Sequence, residues 1–161
     1  MAVKLNLGCG ADYKQGYINI DRYAINFKTD RSFDCNLPLD FSNESVEEIL
    51  AIHLLEHLSF TGLNRVMASW YRVLTKGGKL IIEIPDFNEI LKMALKDKKD
   101  DKILTWIFGL QDRPGETHFW GWNKERLKGL LEKSGFKDIK FVEPQNFRKD
   151  EAPCLRCEAT K

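Results

Sequence analysis

Strand and helix signals alternate along this 161-residue chain. The alternation predicts an α/β fold: a doubly wound, mostly parallel sheet with an antiparallel last strand and helices on both faces. Three observations carry that prediction. Short apolar runs near 3–7, 17–21, 32–36, 47–53, 78–84 and 137–143 read as strands, with 154–160 as the last. Segments with apolar residues at helical spacing lie between them. In the last run, Leu155, Cys157 and Ala159 alternate with Arg156, Glu158 and Thr160 after a short link, which points to antiparallel pairing.

The first strand runs into Gly8-Cys9-Gly10, and glycine there lets the backbone turn sharply and come close to a ligand. Only residues 11–16 separate this turn from the second strand, whereas a full helical crossover takes at least ~10–12 residues. The first helix is therefore a single turn or absent, which puts the usual helix-terminus contribution to a ligand site in question. From Leu63 onward, Val66, Met67, Trp70, Val73 and Leu74 form a core-facing helical stripe that Gly77-Gly78 is expected to end. Asp86, with Glu89 three residues on, caps the next helix, whose apolar side is Ile90, Leu91, Ala94 and Leu95. The mixed charge run Lys96 to Lys102 reads as a solvated helix end or turn. Asn123 is the expected N-cap of a helix with Leu127, Leu130 and Leu131 inward and Gly135 as its stop.

Composition fits one domain spanning 1–161, able to bury roughly 70% of its unfolded surface. With 25 Lys+Arg against 24 Asp+Glu, the net charge of +1 gives no field to hold nucleic acid or an anionic membrane. No apolar run reaches the ~18 residues of a membrane span, and Lys4 and Asn6 interrupt any secretory apolar segment, so a cytoplasmic location is expected. The four cysteines do not read as a disulfide framework. Cys154 and Cys157 form a nominal CxxC, but in a strand their odd separation sends the thiols to opposite faces.

Asp21 follows the second strand, where a carboxylate can accept from a ribose diol. A dinucleotide is disfavoured, because Tyr13 stands where a GxGxxG fingerprint needs glycine. Asp21 also lies 13 residues after Gly8 instead of about 20. LNLGCG, then GYINID, then the run Ser45 to Leu58 containing LLEH, then LTKGGKLIIEIP resemble, in order and spacing, the motifs of class I S-adenosylmethionine-dependent methyltransferases. The likeness covers nearly the whole chain and is nearest to a compact branch with an "LEH" segment and a "GGxLxxxxPD" strand. It implies a Rossmann-like fold, S-adenosylmethionine as cofactor and no catalytic metal.

By that resemblance, Gly8, Cys9 and Gly10 flank the methionine moiety, Asp12 can reach its amino group, and Asp21 takes the ribose. Asn36 and Leu37 stand where the family reads the adenine edge with Asp followed by Leu. The Asn36 amide oxygen can still accept from the adenine amino group, while Asp34 reads equally well as a turn former. His53 ends the fourth strand beside the methionine portion. Nucleic-acid amino methyltransferases usually carry (Asp/Asn)-Pro-Pro-aromatic after that strand. This chain has His53-Leu54-Leu55-Glu56, so a small polar acceptor, such as a sugar or metabolite, is expected.

Two other classes compete. His53 to His57 spells HxxEH, a zinc-hydrolase pattern when carried on a helix. The preceding Ile49-Leu50-Ala51-Ile52 reads as a buried strand, which would keep the two imidazoles off one helix face. A cofactor-binding module without catalysis is the third reading. The segment Gly109 to Trp122 is expected to cover the substrate, with Gly115 and Gly121 making it mobile. His118 is the candidate general base, since an ordinary histidine accepts a proton near neutral pH. In the plainer reading, Trp120 and Trp122 close the core and His118 lies on the surface.

Overall fold

The computed structural model describes residues 3–23, 26–97, 99–146 and 151–161. Six strands, β1 (Val3–Leu7), β2 (Ile18–Ile20), β3 (Val46–Ile52), β4 (Leu74–Pro85), β5 (Lys137–Val142) and β6 (Cys154–Thr160), form one sheet in the order β2-β1-β3-β4-β6-β5. β1 pairs in parallel with β2 and β3, and β3 with β4; β6 runs antiparallel to both β4 and β5. The helices are α1 (Leu63–Val73), α2 (Phe87–Lys96), α3 (Asp101–Phe108) and α4 (Lys124–Lys133). The chain leaves β1 for β2 on one side and then crosses to β3 on the other. A crevice at the carboxyl ends of β1 and β3 follows from that reversal.

The alternation within each strand decides what covers the sheet. Leu5, Leu7, Ile49, Ala51, Leu80 and Ile82 belong to one buried core with Met67 and Trp70 of α1 and Leu127 and Leu131 of α4. The alternate positions are largely polar: Lys4 pairs with Glu48 at 3.7 Å, Tyr17 also bonds Glu48, and Asn6 donates to Asn19 at 2.9 Å. The short Gly8–Tyr17 connection contains no helix, as expected from its length. α1 and α4 thus supply the helical side of the main core, while α2 and α3 bury Ile90 and Ile103 outside that cluster.

The polar face also holds an ion pair that no local pattern announces. Glu83 on β4, fully buried, receives Arg156 Nη1 at 2.9 Å from β6. The same carboxylate accepts the backbone N–H groups of Gln145 and Asn146 at 2.8 and 2.9 Å. A buried carboxylate is tolerable when its lone pairs are filled in this way, and here the bonds tie the segment after β5 to the middle of the sheet.

Helix ends follow the local chemistry. Asp86 accepts from Asn88 N and Glu89 N to cap α2, and Asn123 accepts from Arg126 N to cap α4. Past α4, Gly135 takes φ +94°, with Gly135 N bonding Glu132 O and Phe136 N bonding Leu131 O. That pair of bonds is a Schellman ending. Within the charge run Lys96 to Lys102, Asp100 caps α3 through Lys102 N, and Lys98 lies outside the described residues.

Two expectations are corrected. The run 32–36 is not a strand: pairing stops at a single parallel bridge between Ile20 and Arg31. Asp34 then turns the chain, its Oδ1 accepting from Asn36 N at 3.0 Å and its carbonyl from Leu37 N at 2.9 Å. A side chain that bonds its own backbone offers an alternative to the ladder. Gly77-Gly78 does not end α1, which stops at Val73. The pair sits in a bulge of β4, where the register jumps from Val46–Leu74 to Glu48–Lys79 and Gly77 takes φ +74°.

Candidate functional site

The carboxyl ends of β1, β2 and β3 open into a cavity of about 700 Å³, inside the range of small-molecule sites. Its floor is the β1 turn. Gly8 N and Cys9 N both donate to Ile20 O, at 2.8 and 3.1 Å, which folds the turn across the end of β2. Gly8 itself faces Leu54: a Cβ there would lie 2.8 Å from Leu54 Cδ1. Gly10, at φ +47°, looks into open space instead, since a Cβ would meet nothing within 4 Å.

Asp21 leaves β2 with its carboxylate held by backbone. Oδ2 accepts from Gly10 N at 2.9 Å and Oδ1 from Tyr23 N at 2.7 Å. Each oxygen keeps a further lone pair, and Asp21 lines the cavity. Asp12 also lines it, with Lys14 Nζ 2.8 Å from one carboxylate oxygen. Cys9 and Cys35 are wall residues whose thiols burial pushes up to about 12, with the Asp21 charge adding to the effect in both.

Asn36 borders the cavity with its amide engaged at both ends: Oδ1 accepts from Ser59 N at 2.8 Å and Nδ2 donates to Asp34 Oδ1 at 3.1 Å. One lone pair on Oδ1 is left. Leu37 is a correction. Its side chain is exposed, it lies outside the cavity lining, and its N–H is committed to the Asp34 carbonyl. Asp34 is both a turn former and a wall residue, and Arg22 binds it.

The second wall is histidine-rich. His53 follows β3 at φ +50°, and residues Leu55–His57 form one turn of 3-10 helix. His53 and His57 therefore do not share a helical face, and the helix-borne HxxEH arrangement does not form. His53 Nδ1 lies 3.2 Å from Glu56 Oε1, and its Nε2 3.9 Å from Cys154 Sγ. Burial alone would lower the His53 pKa, but the bonds to Cys154 and Glu56 outweigh it and hold it at about 10. Burial would raise Glu56, yet the His53 bond and the neighbouring imidazoles keep its carboxyl at about 2. At neutral pH the pair is an imidazolium against a carboxylate.

The segment expected as a cover lines the cavity through Gly109, Leu110, Arg113, Glu116 and His118, with Lys102, Thr105 and Trp106 of α3 beside it. His118 is half-buried. Burial holds its pKa below the ordinary histidine value against the pull of Glu56, so the ring is neutral at pH 7. Its Nδ1 is 3.0 Å from Trp106 O, which makes Nδ1 the donor and leaves Nε2 with a lone pair. The ring stands edge-on to His57 at 4.7 Å between centroids.

The glycines of the cover serve packing rather than mobility. A Cβ at Gly109 (φ +80°) would lie 1.7 Å from Glu116 O, and at Gly121 2.6 Å from the Phe87 ring. Trp122 is buried in the core, and Trp120 stacks on Phe60 at 4.1 Å. The plainer reading, that both indoles close the core, holds for Trp122 and not for Trp120, which is exposed on the surface. Sequence reasoning missed Glu56 and His57 as wall residues outside the HxxEH motif, and it missed the α3 contribution altogether. The LLEH run is the one local signal that could have found the former.

A mixed sheet of this order, with a ligand-sized crevice at its switch point and a carboxylate after the second strand, is the Rossmann-like α/β arrangement that solved methyltransferases share. Residues 9–82 match the family model described as a methyltransferase domain. Solved structures agree in fold. A methyltransferase from Archaeoglobus fulgidus matches at TM-score 0.66 and 16% identity, over 99% of this chain and 86% of the other. One from Methanosarcina mazei matches at 0.67 and 19%, over 98% and 91%. One from Mesorhizobium loti matches at 0.61 and 14%, over 99% and 90%. No curated protein matches the chain in sequence. Among the described residues, no helix is long and apolar enough to cross a membrane.

Proposed function

We propose that residues 1–161 form one methyltransferase domain that transfers a methyl group from S-adenosylmethionine to a small polar acceptor. The observation that carries this is the single cavity with two different walls. The β1–β2 wall supplies what a nucleoside needs, and the histidine wall supplies what a proton-bearing acceptor needs. The donor set fits the cofactor: Asp21 keeps free lone pairs for ribose hydroxyls, and Gly10 leaves open space above the backbone. Asp12 lies close enough to the same turn to take the methionine amino group. The lone pair left on Asn36 Oδ1 can accept from the adenine amino group, and His53 closes the methionine end.

When bound, the cofactor supplies an electrophilic methyl on a sulfonium. The chain's own residues orient and desolvate the acceptor. Gly109 to Glu116 and α3 shut the cavity from above, and Arg113, Lys102 and Thr105 offer polar contacts to the acceptor. His118, neutral and with Nε2 free, takes the acceptor's proton as the methyl arrives. With the cofactor bound, these residues would favour in-line displacement by holding the acceptor close and excluding water.

The test is isothermal titration with S-adenosylmethionine, S-adenosylhomocysteine and NAD, followed by detection of S-adenosylhomocysteine release across hydroxyl, amine and carboxylate acceptors. Binding of the first two ligands without NAD, with turnover on a small acceptor, is expected. NAD binding without S-adenosylmethionine binding would overturn the reading, and cofactor binding with no turnover across the panel would leave a binding module.

A further inference from the structure

Glu56, His57 and His118 present ligand atoms within 4.8 Å of one another. Each is oriented by a second partner that uses up its other polar atom. His57 Nδ1 donates to Thr117 O at 3.1 Å and His118 Nδ1 to Trp106 O at 3.0 Å, so both rings hold the tautomer whose Nε2 carries the lone pair. Glu56 Oε1 is taken by His53 Nδ1 at 3.2 Å. Its other oxygen, Oε2, is buried with no hydrogen-bond partner among the described residues, on a side chain only 2% exposed. A buried carboxylate oxygen without a donor carries an uncompensated desolvation penalty, larger when the group is charged. Something positive is therefore expected against it.

We propose that Glu56, His57 and His118 hold a divalent transition metal, Zn(II) by donor chemistry, with an open coordination position toward the cavity. Two imidazoles and one carboxylate are a three-ligand zinc set of the kind that leaves a fourth site free. The outer contacts match as well: metal-bound histidines donate their other nitrogen to carbonyls, and metal-bound carboxylates are themselves hydrogen-bonded. Donors of a tetrahedral zinc site lie about 3.3 Å apart, so side-chain rotation closes the remaining gap. His53 is not a ligand in this set but the group that aims Glu56, which separates the site from the HxxEH pattern. All three residues face the cavity. The His118 lone pair that binds the metal is the one that takes a proton in the methyl-transfer reading, so metal occupancy competes with that role.

The test reads the metal rather than turnover. Chelator-treated protein is dialysed against buffered Zn(II), bound zinc is counted by mass spectrometry, and affinity is taken from competition with a chromophoric chelator. One equivalent is expected. Glu56→Gln, His57→Ala and His118→Ala should each weaken it by about 100-fold or more, and His53→Ala by about 10–100-fold. Cys154→Ser should leave it unchanged, and the Co(II) form should show no thiolate charge-transfer band. Circular dichroism checks each fold, with His57→Gln and His118→Gln replacing any alanine variant that fails to fold. Substoichiometric zinc in the wild type, or zinc lost in Cys154→Ser and retained in the histidine variants, would overturn the assignment. S-adenosylmethionine affinity, measured on the same samples, keeps the two readings apart: zinc without cofactor binding removes only the methyl-transfer reading, and the converse removes only the metal site.

Discussion

Replacing Asp21 with alanine separates cofactor binding from loop stability in a way the structure makes quantitative. The carboxylate has two tasks: it accepts from Gly10 N and Tyr23 N, at 2.9 and 2.7 Å, and it keeps lone pairs for the ribose diol. Losing a charge-assisted hydrogen bond to a ligand costs ~1.5–3 kcal/mol, which is roughly a 10- to 150-fold rise in Kd. Losing the two backbone bonds at a half-exposed turn costs about 0.5–1.5 kcal/mol each, less where water replaces them. Asp21→Asn keeps the size and one acceptor oxygen, so it should recover part of the stability and less of the affinity. Titration calorimetry with S-adenosylhomocysteine gives Kd, and thermal denaturation without ligand gives the loop term. An Asp21→Ala protein with wild-type Kd would refute the placement of the ribose. A Kd that rises only in step with the fall in Tm would make Asp21 a loop residue and no more.

Three other predictions address separate parts of the molecule. His118→Ala should lower turnover by about 10²–10⁴-fold, the range for a lost general base, with S-adenosylmethionine affinity unchanged; equal turnover in a coupled S-adenosylhomocysteine assay would free His118 from that role. Arg156→Met should destabilise the fold by about 3–5 kcal/mol, because it strands the Glu83 carboxylate inside the sheet; urea denaturation measures it, and a change under ~1 kcal/mol would mean that water or the backbone donors suffice. Burial, aided by nearby carboxylates, pushes Cys9, Cys35 and Cys157 up to about 12. Unfolded thiols ionise first, so their contribution to stability is complete below the ordinary thiol range and is lost as pH rises toward 12. At pH 8, iodoacetamide followed by peptide mass mapping should label half-buried Cys154 before these three, and earlier labelling of Cys35 would contradict its burial.

What the sequence determined by itself is what a few neighbouring residues can encode. Short apolar runs placed five strands and an alternating run the antiparallel β6, the Asp86 and Asn123 caps marked helix starts, and the six-residue link after Gly10 left room for one helical turn at most. The glycine turn and Asp21 were readable because both lie within one turn of a strand end. The run 32–36 misled because its apolar residues promised a strand while Asp34 and Asn36 supplied a competing turn.

Tertiary structure decided everything that joins distant segments. Glu83 meets Arg156 across 73 residues, and His57 meets the Thr117 carbonyl across 60, contacts that carry no local period. Only the folded chain shows that Leu37 lies outside the cavity and that Gly109 is required by the Glu116 carbonyl. It also shows that an LLEH run after β3 and a histidine on a remote loop share one wall. Local propensity fixes where an element starts and which side is apolar. Desolvation and hydrogen-bond satisfaction act only after the sheet has assembled, and they decided which polar groups came to face one another.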